Sequence, residues 1–119
     1  MGKHNDFGSE GEQFAVDFLL KAGYEILERN FRYLKAEVDI IAKKDDIMVI
    51  VEVKARNDGF LEDMNTVINR KKIKLLTLAA DHYVTQNAIE EEVRFDLITI
   101  IKKNGGFNLE HVKNAFYFF

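Results

Sequence analysis

Apolar positions recur along this chain in two rhythms. In SEGEQFAVDFLLKAGY the apolar residues Phe14, Ala15, Phe18, Leu19 and Ala22 fall on one stripe at helical spacing. Ser9 is placed to cap that helix and Gly23 to end it. The polar, glycine-containing residues before it predict a flexible arm over residues 1–8. YEILERNFRY alternates loosely and predicts an extended segment. Residues 37–56, EVDIIAKKDDIMVIVEVKAR, read as two apolar strands joined at Lys43-Lys44-Asp45-Asp46, a hairpin. NDGFLEDMN predicts a loop. A second helix is expected from about residue 66 to 87, with Ile73, Leu76, Ala80 and Tyr83 on one face. VRFDLITII predicts a fourth strand, and Asn104-Gly105-Gly106 turns it back into FNLEHV, a fifth. This order predicts an α/β fold in which the hairpins are antiparallel and the strand after the second helix pairs in parallel.

Composition narrows the class. The 119 residues suit a single domain, 1–119, with an ordinary core. Absence of cysteine excludes a disulfide framework and any thiolate metal site. No apolar run is long enough to span a membrane, and the start has no apolar signal core, so a cytoplasmic protein is expected. The net charge of −3 argues mildly against nucleic acid, but its distribution is uneven. Arg70, Lys71, Lys72 and Lys74 cluster, and Glu90, Glu91 and Glu92 sit apart from them. The tail AFYFF is too apolar to hang in water and is expected to pack on the domain or meet another chain.

The candidate chemistry lies in the hairpin. IMVIVEVKAR is apolar on both faces, as a buried strand is, yet carries Glu52 and Lys54 two residues apart and therefore on one face. A two-residue turn at Asp45-Asp46 sets Lys44 against Ile47 and Asp39 against Glu52, whereas a slip of one residue would throw Asp39 to the other side. Two converging carboxylates repel, so one takes a proton or a cation joins them. A hard divalent ion suits these oxygens: Mg²⁺, with Mn²⁺ as the substitute, held by Asp39, Glu52 and the carbonyl of Val53. It would acidify a water and offset charge on a phosphate. The neighbouring carboxylates keep Lys54 charged, which favours an orienting and charge-stabilising role over that of a base. The competing interpretation is a surface ion-pair set of Glu37, Asp39, Glu52 and Lys54 at a frayed strand end. The pattern alone leaves both open.

An Asp followed across a hairpin by Glu-x-Lys, here Asp39 and Glu52-Val53-Lys54, resembles the PD-(D/E)XK nuclease superfamily. GSEGEQFAVDFL, GYEILERNFRY, EVDIIA, VEVKAR, RFDLITI and HVKNAF together resemble the YraN-type family of small bacterial proteins, from Gly8 to about Phe116. The resemblance implies a restriction-endonuclease-like mixed β-sheet flanked by α-helices, and an activity like that of Holliday-junction resolvases. It places catalytic residues at Glu12, Asp39, Glu52 and Lys54, with Glu37 and Arg56 on matching positions. One departure is Ala36, where the family usually has glycine; its side chain is expected to crowd the approach to the site.

Glu12 also fits a capping box with Ser9, reaching back to the Ser9 amide, and the resemblance favours instead a role beside the metal through water. The basic cluster opposes the dipole at the start of the second helix. It reads either as a solvated face or as a phosphate contact, with Lys72 directed toward the sheet. Arg32 and Arg56 are further phosphate-binding candidates. His4, His82 and His111 have no metal-ligand spacing and no role is assigned to them, nor to Asp96. The resulting expectation is a Mg²⁺-dependent endonuclease acting on DNA rather than RNA, on branched or otherwise structured forms, as a symmetric homodimer. The alternatives are a nucleic-acid-binding protein that keeps the fold without catalysis, and a protein-interaction scaffold.

Overall fold

In the computed structural model, which describes residues 6–57 and 69–115, two helices cover the two faces of one sheet. The elements run α1 (Asp6–Lys21), β1 (Glu25–Tyr33), β2 (Ala36–Lys44), β3 (Ile47–Asn57), α2 (Arg70–Gln86), β4 (Glu92–Lys103) and β5 (Gly106–Val112). The strands lie side by side in chain order, β1-β2-β3-β4-β5. Consecutive strands pair antiparallel except β3 and β4, which are parallel because the crossover through α2 returns the chain to the end where β3 began. This is the restriction-endonuclease-like mixed sheet with flanking helices that the sequence predicts.

The doubly apolar reading of β3 has a direct cause. Met48 and Ile50 are buried under α2 with Leu76, Tyr83, Phe95 and Leu97. Val49 and Val51 are buried under α1 with Ala15, Leu19, Ile98 and Ile100. A central strand covered on both faces shows no polar alternation. Its turn is the two-residue one expected, with Lys44 paired to Ile47 and Asp45 at φ 56°. The β4–β5 turn likewise places Asn104 and Gly105 at positive φ, where Asn and Gly are least strained.

The helices correct three expectations. α1 begins at Asp6, so Ser9 lies inside it and cannot be its cap, and the expected arm is helical from Asp6 onward. The capping box of Ser9 and Glu12 is thereby removed. Further along α1, Gly11 lies so close to β3 that an added Cβ would stand 3.2 Å from the Cβ of Ala55. The far end of α1 follows the sequence, with Gly23 at φ 95°, its N–H donating to Leu20 O, and Tyr24 N–H donating to Leu19 O, a Schellman stop. α2 begins at Arg70, later than expected, because Asn69 caps it by accepting the Lys72 amide at 2.8 Å. Residues 1–5, the loop from residue 58, the expected helix start at 66 and the tail 116–119 lie outside the described residues.

Candidate active site

The β2–β3 ladder runs from Lys44 and Ile47 to Ile40 and Val51, while β3 continues to Asn57. β2 changes its facing where the ladder stops. Ala36 and Val38 belong to the core under α2, Ile41 belongs there too, but Ile40 and Ala42 belong to the core under α1. The period of two therefore slips at Asp39. On β1 the flanking pairs Phe31–Val38 and Arg29–Ile40 are kept, and Asn30, between Arg29 and Phe31, stands at φ 55°. Asp39 thus belongs cleanly to neither face. Its Oδ2 accepts the backbone N–H of Val53 at 2.8 Å, so the carboxylate reaches toward the part of β3 that β2 has left. The register that would set Asp39 opposite Glu52 stops one pair short, at Ile40 and Val51; the strands diverge there and the Asp39 side chain reaches the Val53 amide across the gap.

Glu52 is 2% exposed. It continues the Met48–Ile50 face, and its Oε2 lies 3.3 Å from Lys54 Nζ and 3.4 Å from Lys72 Nζ of α2. Lys72 does point back to the sheet, where it meets a carboxylate. Glu52 Oε1 is buried and has no hydrogen-bond partner. At this depth Glu52 is no part of a surface ion-pair set at a frayed strand end, and its two ammonium neighbours are the pairing that a buried carboxylate needs. Burial and the adjacent charge of Glu52 push the Asp39 carboxyl up to about 7, against the opposing bond from Val53 N–H.

A cleft of ≈ 590 Å³ opens beside these groups, lined by Gly8, Ser9, Glu12, Asn30, Arg32, Glu37, Val53, Lys54, Ala55 and Arg56. Glu12 enters it from α1. Burial raises its carboxyl, opposed by Arg29, 3.9 Å away, and by a hydrogen bond from the Asn30 side chain. Arg32 pairs with Glu37 at 3.6 Å and stays three-quarters exposed, with 75% of its side chain in solvent. Arg56 turns one guanidinium N–H onto Ala55 O at 3.0 Å. Ala36 does not crowd this cleft: its side chain, 1% exposed, packs in the core under α2, on account of the facing of β2 before the slip at Asp39.

The donor set can be tested against a divalent cation. Among the described residues no three His, Cys, Asp or Glu side chains gather closely enough to hold a metal. Two carboxylates and a backbone carbonyl remain, which suits Mg²⁺, an ion that keeps several waters. The unpartnered Glu52 oxygen and the raised Asp39 both fit such an ion, since a cation relieves each of them. Val53 adds to the fit: in an extended strand the carbonyl of a residue points the same way as its N–H, here toward Asp39.

A second polar cluster escaped sequence reasoning. Asp96, fully buried on β4, accepts two bonds from Arg94 at 2.9 Å each, one from the Asn114 amide at 3.1 Å, and contacts His111 Nε2 at 2.7 Å. Arg94 also donates to the Tyr24 hydroxyl at 2.8 Å. Burial alone would raise Asp96, but the bonds from His111, Arg94 and the Asn114 amide hold it below the usual carboxylate range. Asp96 therefore ties Arg94, His111 and the turn at Asn114 together, and both Asp96 and His111, to which the sequence assigned no role, are engaged. The alternation of Arg94 and Asp96 on one strand face was the available signal; nothing local pointed to His111. His82 is also engaged, its ring stacked on Tyr33 with centroids 3.8 Å apart.

A family model described as "Uncharacterised protein family UPF0102" matches residues 11–100 of this chain. A UPF0102 protein of Christiangramia forsetii is 44% identical over 119 residues, covering the whole of both chains. One from Flavobacterium psychrophilum is 45% identical with the same coverage. One from Parabacteroides distasonis is 44% identical over 98% of this chain and 97% of its own. Among the described residues no helix is long and apolar enough to cross a membrane.

Proposed function

This chain belongs to the uncharacterised protein family UPF0102, and on that footing we propose from its site that it is a divalent-metal-dependent endonuclease, hydrolysing phosphodiester bonds in DNA in the cytoplasm. The observation that carries the reading is the buried, unpartnered oxygen of Glu52 beside a second carboxylate with raised proton affinity. Such an arrangement is costly to the fold and is retained where a site uses it.

Asp39, Glu52 and the Val53 carbonyl would hold Mg²⁺ or Mn²⁺, which when bound supplies a Lewis acid for a phosphate oxygen and acidity for water. The rest falls to the chain's own groups. In hydrolysis a water oxygen bonds to phosphorus, the ester P–O bond breaks, one proton leaves the water and one reaches the departing oxygen. Lys54, held against Glu52, brings positive charge to where negative charge builds on the phosphate. Lys72 shares the same Glu52 oxygen; with Glu52 otherwise neutralised, its ammonium is free for phosphate. Arg32 and Arg56, on opposite strands of the cleft, fix the strand to be cut through its backbone. Glu12, held between Arg29 and Asn30, orients a water across the cleft. Cutting both strands of a branched substrate requires two such sites, which a symmetric homodimer supplies.

The test is cleavage of labelled four-way, flap, single-stranded and duplex DNA, with RNA counterparts, in Mg²⁺, Mn²⁺ or EDTA. Metal-dependent cutting is expected, reduced at least ~100-fold in Asp39→Ala and Glu52→Ala, which remove the carboxylates that would hold the metal, and in Lys54→Ala, which removes a cation facing the anionic transition state. Wild type that never cuts, or variants that cut equally well, overturn the reading. Salt-sensitive binding without cutting would make the protein a nucleic-acid binder. A protein complex indifferent to DNA and to Asp39→Ala would make it a scaffold.

A further inference from the structure

The β1–β2 hairpin, which carries Asp39 on one arm and Arg32 on the other, ends in a turn that ordinary turn chemistry does not explain. Tyr33 pairs with Ala36 across a two-residue loop of Leu34 and Lys35. Leu34 stands at φ 57°, a conformation that Asn, Asp or Gly adopts at little cost and leucine does not. It is also 78% exposed, the most exposed large apolar side chain among the described residues. A solitary exposed leucine is ordinary, and so is a strained turn. One residue that is both, at a tip held rigidly beside a candidate active site, is costly twice over and is sustained only by its surroundings.

Those surroundings are built. The Tyr33 ring stacks on His82 of α2 at 3.8 Å and 12°, and Phe31 meets Tyr83 edge-on at 5.1 Å. These contacts clamp the hairpin onto α2 and aim its tip. Lys35 and Arg32 are exposed beside it. An apolar point between two cations, preset in direction, fits a nucleic acid whose base face is uncovered: the cations take phosphates and the leucine takes the face. It does not fit continuous duplex, whose base faces are stacked away, and one leucine is too small to anchor a protein interface.

We infer that the β1–β2 tip inserts Leu34 against an unstacked base, so that the substrate of the proposed nuclease site is DNA with an uncovered base face, at a branch or flap, rather than intact duplex. This rests on the nuclease reading.

The experiment uses the full chain and a four-way DNA junction with 2-aminopurine at the branch, against a continuous duplex of equal length, in EDTA so that nothing is cut. Affinity is read by anisotropy and base unstacking by 2-aminopurine fluorescence. Leu34→Asn suits the left-handed turn, so the fold is kept; thermal unfolding at or above the wild-type temperature checks this. Leu34→Phe keeps an apolar point. Wild type and Leu34→Phe should prefer the junction and brighten the branch base. In Leu34→Asn the junction-to-duplex preference should fall about tenfold, the worth of burying most of a leucine side chain, and the brightening should vanish. An unchanged preference and signal in Leu34→Asn overturns the inference while leaving the nuclease reading intact if wild type still cuts. A wild type that binds neither DNA overturns both.

Discussion

Asp39→Asn isolates the electrostatics of the candidate site. Asparagine keeps an oxygen to accept the Val53 N–H and removes only the charge. In the folded protein burial and Glu52 raise Asp39 from 3.8 to about 7. The folded state therefore holds its proton more tightly than the unfolded chain between about pH 4 and 7. Across that window the metal-free protein loses stability as pH rises, and above it the penalty is constant. About three pK units at 1.36 kcal/mol each give an upper value of about 4 kcal/mol, which solvent screening at this half-buried position reduces to on the order of 3 kcal/mol. Urea unfolding of wild type and Asp39→Asn in EDTA, at half-unit steps from pH 4.5 to 8.5, reads the difference directly. The variant should gain on the wild type by about that amount as pH rises and should be the more stable protein at pH 8. Millimolar Mg²⁺ should restore wild type at pH 8 and leave the variant unmoved. Parallel pH profiles would refute the reasoning, because they would mean that Asp39 is charged without penalty and that nothing in the cleft calls for a cation.

Asp96→Asn should behave in the opposite sense. It leaves Arg94 and His111 buried without their anion, costing about 3 kcal/mol and roughly 10 °C in Tm; a shift of less than about 2 °C in calorimetry would show that water compensates them. Gly11→Val forces branched carbon toward Ala55, only 3.2 Å from the built Cβ, and should cost about 2 kcal/mol while displacing Glu12 from the cleft; an unchanged Tm would mean that α1 does not dock as tightly as its glycine implies.

The elements were legible because their signals are local. Of the predicted stripe Ala15, Phe18 and Leu19 form the packed helix face while Phe14 stays exposed and Ala22 lies past the helix end; the doubly apolar β3 had to be central, and a two-residue turn at Asp45-Asp46 had to pair Lys44 with Ile47. Buried charge in that strand was the legible mark of the site, and Glu52 carries it. The boundaries were less legible. Ser9 is a good cap by composition, yet α1 runs back to Asp6, and Ala36, expected in the cleft, packs under α2. In the first a short-range preference was taken as decisive; the second rested on the family resemblance, and the slip in β2 decides which way Ala36 faces.

By itself the sequence determined which segments are strands and helices, the hairpin register, and that Glu52 and Lys54 share a face, because each depends on residues a few positions apart. Tertiary structure alone decided where Asp39 points, since that depends on a slip in β2 opposite the left-handed Asn30 and on β3 outrunning its partner. It alone brought Lys72 from α2 onto Glu52, and His111 from β5 onto Asp96. Charges meet across a fold at distances set by where backbones diverge and cross, and no period within one strand or helix encodes that.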